Sequence, residues 1–346
     1  MRDVLESVAG WFELGADVGL ATVINTWGSA PRGVGAKMAF TREGQIAGSV
    51  SGGCVEGAVY DTGLEILGGG SPRLLHFGVD DETAWDVGLA CGGQIDVFVE
   101  RLNPFFFNRI SEAYGLDVEF AAGTIISGEP AFLGKRTIIQ SDGHILGEVN
   151  QAVDEQIRYL ARSQMEAGKS ALKQIDQGAA VADPAEIFIE VVRPSPTLII
   201  VGGVHIAVAL SAFAKNLGYK TIVIDPRRSF GSPERFAHVD RLVQLWPELA
   251  FQEITLTPTT AVAILTHDPK IDDPAIISAV SSPVFYIGAL GSRKTHAARL
   301  KRLTDAGVSE EQLARVLGPI GLDIGAKTPE EIAISIMAQI IESRST

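Results

Sequence analysis

Thr197-Leu-Ile-Ile-Val201 is an unbroken apolar run, entered through Arg193-Pro-Ser-Pro196 and left through Gly202-Gly203. A strand without polar alternation has to be covered on both faces, as parallel strands in α/β sheets are. Beyond it the pattern predicts strands at 220–224, 241–245, 261–265 and 283–287, and helices at 203–217, 292–305 and 328–343. That alternation predicts a Rossmann-like, doubly wound parallel sheet over 197–346. Residues 1–192 then form a separate α+β domain, since 346 residues are enough for two cores.

The first domain carries a weak internal repeat, 21–100 against 122–192. Lys37-Met-Ala-Phe-Thr-Arg-Glu-Gly-Gln-Ile-Ala-Gly-Ser-Val50 aligns with Arg136-Thr-Ile-Ile-Gln-Ser-Asp-Gly-His-Ile-Leu-Gly-Glu-Val149. Both read as a β-hairpin with an acidic residue and Gly at the turn. A helical stretch follows each copy, over 54–67 and 151–175, and then a strand, Asp96–Glu100 and Glu186–Glu190. Four of the fourteen hairpin positions are identical, so two unrelated hairpins remain the competing reading.

Charge narrows the function. A formal net charge of −13 argues against nucleic acid and against anionic membrane surfaces. No apolar stretch is long enough to predict a membrane span. Asp3, Glu6, Glu13 and Asp17 make the start of the chain an amphipathic acidic helix rather than a signal peptide. Two cysteines build no disulfide framework, so a cytoplasmic location is expected.

Both cysteines are framed by glycine, Cys54 in Ser51-Gly-Gly-Cys-Val-Glu56 and Cys91 in Gly88-Leu-Ala-Cys-Gly-Gly93. Glycines let backbone N–H groups converge on an oxyanion, and a following helix adds the positive end of its dipole. Gly52, Gly53, Gly92 and Gly93 are therefore candidate cofactor contacts. Arg32, in a Pro-Arg-Gly turn, adds positive charge. Glu56 and Asp86 are candidate acid–base partners. A tight turn around an inert, buried cysteine is the alternative. Cys54 and Cys91 have no Cys-x-x-Cys or His-pair spacing, so chelation by the protein alone is not expected, and a soft metal held partly by a cofactor, with one thiolate approaching, stays an open alternative. His76 and His144 fall in strand or turn contexts and read as structural.

In the second domain, Val201-Gly-Gly-Val-His-Ile-Ala207 lies between strand and helix, and Asp225 follows about 20 residues later, the spacing of a dinucleotide fingerprint. Gly202, Gly203, His205 and Asp225 are the candidate contacts. The fingerprint is incomplete, because Val204 takes the place of the glycine that lets backbone approach pyrophosphate. Ser292 and Arg293 open a basic helix and form a candidate anion site, and His267 ends a strand as a weak acid–base candidate.

Together these motifs resemble the XdhC/CoxI family, the accessory factors of xanthine dehydrogenase and related molybdenum hydroxylases. The resemblance runs end to end: Gly28-Ser-Ala-Pro-Arg-Gly33, Gly35-Ala-Lys-Met38, the two cysteine loops, Thr266-His-Asp-Pro-Lys270, Tyr286-Ile-Gly-Ala-Leu-Gly-Ser-Arg293 and Pro319 to Ala333. Val204 and Ala90 stand where the family carries glycine. The resemblance implies an α+β domain of XdhC/CoxI type, a Rossmann-like domain and a homodimer. It implies binding of molybdenum cofactor (molybdopterin), with Cys54 and Cys91 as candidate molybdenum contacts. It also implies support of the cofactor's sulfuration, with a cysteine desulfurase as a candidate partner, and insertion into a molybdenum hydroxylase client. A maturation factor is favoured over a turnover enzyme. The alternatives are an NAD(P)-linked oxidoreductase using the Rossmann-like domain with His267, and a thiol enzyme using Cys54, for which no general base is close in sequence.

Overall fold

The computed structural model describes residues 1–78, 92–146, 149, 151–175 and 185–345, which divide into two compact units, Met1–Pro194 and Ser195–Thr346. Among the described residues, no helix is long and apolar enough to cross a membrane.

The first unit opens with α1 (Arg2–Glu13), whose Val4, Val8 and Trp11 recur at helical spacing and are buried. Then follow β1 (Val18–Trp27), β2 (Lys37–Thr41), β3 (Ile46–Gly48), α2 (Glu56–Leu67), β4 (Arg73–Phe77) and β5 (Gln94–Arg101). They make an antiparallel sheet of order β3-β2-β1-β5-β4. After α3 (Pro104–Leu116) come β6 (Phe120–Ile125), β7 (Arg136–Gln140), β8 (Ile145–Leu146), α4 (Gln151–Ala167), β9 (Ala171–Ile175) and β10 (Ala185–Val192). These make a second sheet, β8-β7-β6-β10-β9. The two sheets share one strand order and one helix position.

Strand β2 is buried along its whole length because both faces are covered. Met38 and Phe40 pack with α2, whereas Ala39 turns to the cluster containing α1, α3 and residues of the second sheet. Ile24 and Phe98 of the first sheet meet Ile126 and Phe188 of the second. Two reciprocal ion pairs cross between the sheets. Lys37 donates to Thr22 at 3.3 Å and to Glu190 at 2.9 Å, and Arg136 donates to Thr124 at 2.7 Å and to Glu100. Burial raises the Glu190 carboxyl, but Lys37, the N-terminal ammonium and Arg136 together outweigh it and the net shift is downward.

The second unit is β11 (Thr197–Val201), α5 (His205–Asn216), β12 (Lys220–Ile224), β13 (Arg241–Val243), α6 (Pro247–Ala250), β14 (Thr260–Ile264), α7 (Pro269–Val280), β15 (Tyr286–Ala289), α8 (Arg293–Asp305), α9 (Glu310–Leu313), β16 (Val316–Leu317) and α10 (Pro329–Ser345). Its six strands are parallel, in the order β13-β12-β11-β14-β15-β16. Leu198, Ile200, Ala261 and Ala263 face the core under α5 and α10. Ile199, Val201, Val262 and Ile264 face the core under α7. The Rossmann-like fold is thus present, with its topological switch between β11 and β14.

Several boundaries differ from expectation, each for a local reason. The helix expected over 151–175 stops at Ala167, since Gly168 turns left-handed at φ +65° and residues 171–175 pair with β10. The strand expected at 283–287 lies at Tyr286–Ala289. Arg315 takes the carbonyls of Val280, Ser282 and Val284, and of these only Val284 lies in the expected strand and is lost to the ladder. The helix expected from 203 begins at His205, because Val204 is an extended N-cap.

Candidate functional site

One end of the first sheet gathers the motif loops. The chain leaves β1 at Trp27 and returns into β2 at Lys37. It leaves β3 at Gly48 and enters β5 at Gln94, and antiparallel pairing puts these ends on one side of the sheet, Gln94 opposite Trp27 and Lys37 opposite Thr22. Residues 28–33 form the hub. On one side a side chain on Gly93 is impossible, because its Cβ would lie 2.5 Å from the Ser29 carbonyl oxygen. On the other side Arg32 Nε donates to the Ser49 carbonyl at 3.2 Å, and Pro31 stands beside Gly52. Arg32 also pairs with Asp3 at 2.9 Å on the surface. The structure therefore brings together Arg32, Gly52, Gly53, Cys54, Gly92 and Gly93. Cys91 and Asp86 lie outside the described residues.

Cys54 is a free, half-buried cysteine packed against the core beneath α2. It precedes the N-cap, Val55, and the helix proper starts at Glu56. Glu56 is not poised as an acid–base group. Its Oε1 accepts from the amides of Val50 (3.2 Å), Ser51 (2.9 Å) and Gly52 (3.1 Å) and from Ser49 Oγ (2.6 Å). Its Oε2 accepts from Gly53 N at 2.9 Å and from Ser51 Oγ. Ser51 Oγ in turn accepts from Cys54 N and Val55 N, each at 3.0 Å. The expected oxyanion cradle exists, and the chain's own carboxylate fills it.

Burial alone would raise Glu56, yet the hydrogen bonds from Ser49 and Ser51 hold it at about 2 against an ordinary 4.5. A carboxyl depressed on folding stabilises the fold above the ordinary value, and that stability is lost as pH falls through the folded value. The order of the 49–55 loop is therefore expected to decline between pH 4.5 and about 2. Limited proteolysis across that window reads it, and the Glu56→Gln variant should show no such step. A wild-type loop equally resistant throughout would contradict the assignment.

In the second unit the candidates collect at the carboxyl ends of β11, β14 and β15. His205 is exposed at the first residue of α5, His267 is exposed after β14, and Arg293 is exposed at the start of α8. Ser292 caps α8 by accepting from Thr295 N at 3.1 Å. Gly202 has φ +106°, and a Cβ there would lie 2.4 Å from Thr266, so no other residue fits this turn. Sequence reasoning missed the network below these loops. Thr266 Oγ1 donates to Asp272, and Arg299 Nη2 donates to Asp272 at 3.2 Å and to the Leu290 carbonyl at 2.8 Å. Burial pushes the Asp272 carboxyl up despite Thr266 and Arg299. An Arg in the middle of a basic helix gives no local signal that it is buried.

A dinucleotide does not fit this turn as it stands. Gly203 N, the amide next to the pyrophosphate position, donates to Asp225 Oδ2 at 2.7 Å. Asp225 is fully buried and accepts three more hydrogen bonds from Arg227, from N, Nε and Nη2, at 2.7–2.9 Å. No acceptor is left for a ribose hydroxyl. A Cβ on Gly203 would lie 2.5 Å from the Phe230 carbonyl oxygen, so the 225–236 loop lies directly on the turn. Titration with NAD or NADP is expected to give no heat in calorimetry. Micromolar binding, weakened by Asp225→Ala, would overturn this.

His76 pairs across strands with Asp96 at 2.6 Å, and His144 sits in the β7–β8 turn. Among the described residues, no group of three or more His, Cys, Asp or Glu is placed to hold a metal ion.

The fold and site define a protein with an antiparallel α+β unit presenting a glycine-framed cysteine, followed by a Rossmann unit with a closed dinucleotide turn. Residues 11–78 match the XdhC and CoxI family, and residues 198–340 match the XdhC Rossmann domain. A Bacillus subtilis protein named as a probable xanthine dehydrogenase subunit is 30% identical over 94% of this chain and 92% of its own length. The Escherichia coli protein named molybdenum cofactor insertion chaperone PaoD is 26% identical over 94% of this chain and 83% of its own. A crystal structure described as a xanthine dehydrogenase from Bacillus halodurans superposes with a TM-score of 0.78 at 25% identity, over 99% of this chain and 95% of that one. The chain belongs to the XdhC and CoxI family.

Proposed function

We propose that the protein binds molybdenum cofactor at the junction of residues 28–33, 49–54 and 92–93 and delivers it to a xanthine dehydrogenase-type molybdenum hydroxylase. The observation that supports this reading is that residues 28–33 touch both the Gly93 turn and the loop that carries Gly52 and the half-buried Cys54. The naming of one relative as a molybdenum cofactor insertion chaperone, and of another as part of a xanthine dehydrogenase, supports it. The cofactor is cargo, and it supplies the molybdenum that a soft sulfur ligand suits. Cys54, and Cys91 beside Gly92 in sequence, are the proposed contacts. Arg32 adds charge at the rim. Support of sulfuration by a cysteine desulfurase, a homodimer and a cytoplasmic location are part of the same reading.

Anaerobic titration with molybdenum cofactor, followed by desalting and molybdenum and pterin analysis, tests it. Retention near one cofactor per chain is expected. Cys54→Ala should weaken retention by about tenfold or more, the loss of one good polar or metal contact. Wild-type protein that retains nothing would sink the carrier reading, and unchanged retention in Cys54→Ala would remove the thiol from it. Sedimentation giving only monomer would remove the dimer.

A further inference from the structure

We infer that Glu56 is the resident anion of the glycine-rich loop: it fixes residues 49–55 so that Cys54 is presented, and it closes the loop amides to external phosphate. The accounting of donors carries this. Six consecutive amides run from Val50 to Val55. The first four donate to the Glu56 carboxylate, and the last two donate to Ser51 Oγ, which itself donates to Glu56. Ser49 Oγ adds a sixth donor to the carboxylate. An arriving phosphate finds every one of these N–H groups taken and a negative charge in the cradle.

The second sheet supplies an internal comparison. There Asp154, on α4, accepts from Thr137 Oγ1 at 3.0 Å and from Val149 N at 3.1 Å. Val149 is the hairpin position aligned with Val50. Both sheets thus tie the end of their hairpin to a carboxylate on the following helix. Five residues, Ser51-Gly-Gly-Cys-Val55, separate hairpin end and carboxylate in the first sequence and four, 150–153, in the second, and only in the first does the carboxylate reach back over a Gly-Gly turn to organise it. Glycine at 52 and 53 serves that wrapping, with φ of +80° and +118°. Charge-assisted bonds of this kind are the stronger class, so the loop is set before any ligand arrives. Under the carrier reading, on which this last step rests, the cofactor meets the loop through the Cys54 side chain and its phosphate is held elsewhere.

The full chain labelled with 15N-glycine reports on Gly52 and Gly53 directly. In the wild type, neither amide signal should move with inorganic phosphate or acetate at concentrations on the order of ten millimolar. In Glu56→Ala both signals should move away from their native positions. Acetate should return them, with a dissociation constant on the order of millimolar, as a few charge-assisted hydrogen bonds supply. Rescue by a free carboxylate is a response that loss of packing alone does not give. Wild-type signals that titrate with phosphate would overturn the inference, as would native positions in Glu56→Ala without acetate. If Glu56→Ala does not fold, Glu56→Gln is read by hydrogen exchange. Gly52 and Gly53 should then exchange about tenfold faster or more, with β1 and β5 unchanged. Unchanged exchange at the two glycines overturns the inference. Failure of the wild type to retain molybdenum cofactor, with these results intact, would sink the carrier reading and leave the role of Glu56 standing.

Discussion

Replacing Arg299 with Met is expected to destabilise the Rossmann unit by about 3–5 kcal/mol, the usual result of removing one partner from a buried ion pair. Arg299 is 1% exposed and Asp272 is 2% exposed. Burial already pushes the Asp272 carboxyl up, with Thr266 and Arg299 opposing it. Without the guanidinium, the carboxylate must either stay charged in an apolar setting or take up a proton. The Leu290 carbonyl loses its donor at the same time. Because Asp272 holds Thr266 and Arg299 holds Leu290, the pair fastens two loops at the ligand end of the sheet. Both loops should therefore loosen, and hydrogen exchange at Ser292 and Thr295 should accelerate. The double variant Asp272→Leu/Arg299→Met should recover much of the lost stability, since it leaves no lone charge. Urea titration of the three proteins gives the answer. A single-variant loss below about 1 kcal/mol, the scale of surface pairs, would show that the pair is not buried in solution.

Phe40→Ala is expected to cost a similar amount, about 3–5 kcal/mol, by opening a cavity in the first sheet. Phe40 is fully buried, and its ring fills a slot between Gly19 of β1 and Gly63 of α2. A Cβ on either glycine would lie 2.1 Å from a ring atom, so the slot exists only because both are glycine. Tyr60 closes it edge-on, with ring centroids 5.6 Å apart. The ring is the seat of α2, and α2 carries Glu56 and the loop that presents Cys54. Loss of the ring should therefore expose Cys54 to alkylation as well as lower the urea midpoint. Gly63→Ala fails from the opposite side, by overpacking, at about 1–3 kcal/mol. Combined with Phe40→Ala it should cost less than the sum, because the new methyl enters the vacated space. Strict additivity would show that the ring and the glycine do not share one slot.

The strand 197–201 and the Gly-Gly turn after it are legible in the sequence because burial on both faces leaves no polar position. The amphipathic helix at the start is legible for the converse reason: one stripe, Val4, Val8 and Trp11, is apolar. Residues 171–175 are harder to read. Ala171-Leu-Lys-Gln-Ile175 follows a long helix and has no strand signature of its own. Its pairing with β10, the next strand, decides its conformation, and the stretch shows no alternation of its own that signals this. The shift of β15 follows from a contact distant in sequence, since Arg315 lies about thirty residues from the carbonyls it takes.

By itself the sequence determined the first helix, the apolar strands and doubly wound order of the second unit, and the glycine-framed turn at Cys54. These follow from periodicity and from turn residues, which act within a few positions. Tertiary structure alone decided who partners whom. It set residues 28–33 between Ser49 and Gly93, placed Arg227 on Asp225, and buried Arg299 against Asp272. The Glu56 carboxylate lies close in sequence to the amides it fills, yet the same Ser-Gly-Gly-Cys-Val-Glu string is compatible with an open cradle. Spacing fixes only which groups are within reach of one another. Which donors a buried or half-buried polar group takes depends on which partners the fold brings to it once water is gone, and sequence patterning does not encode that.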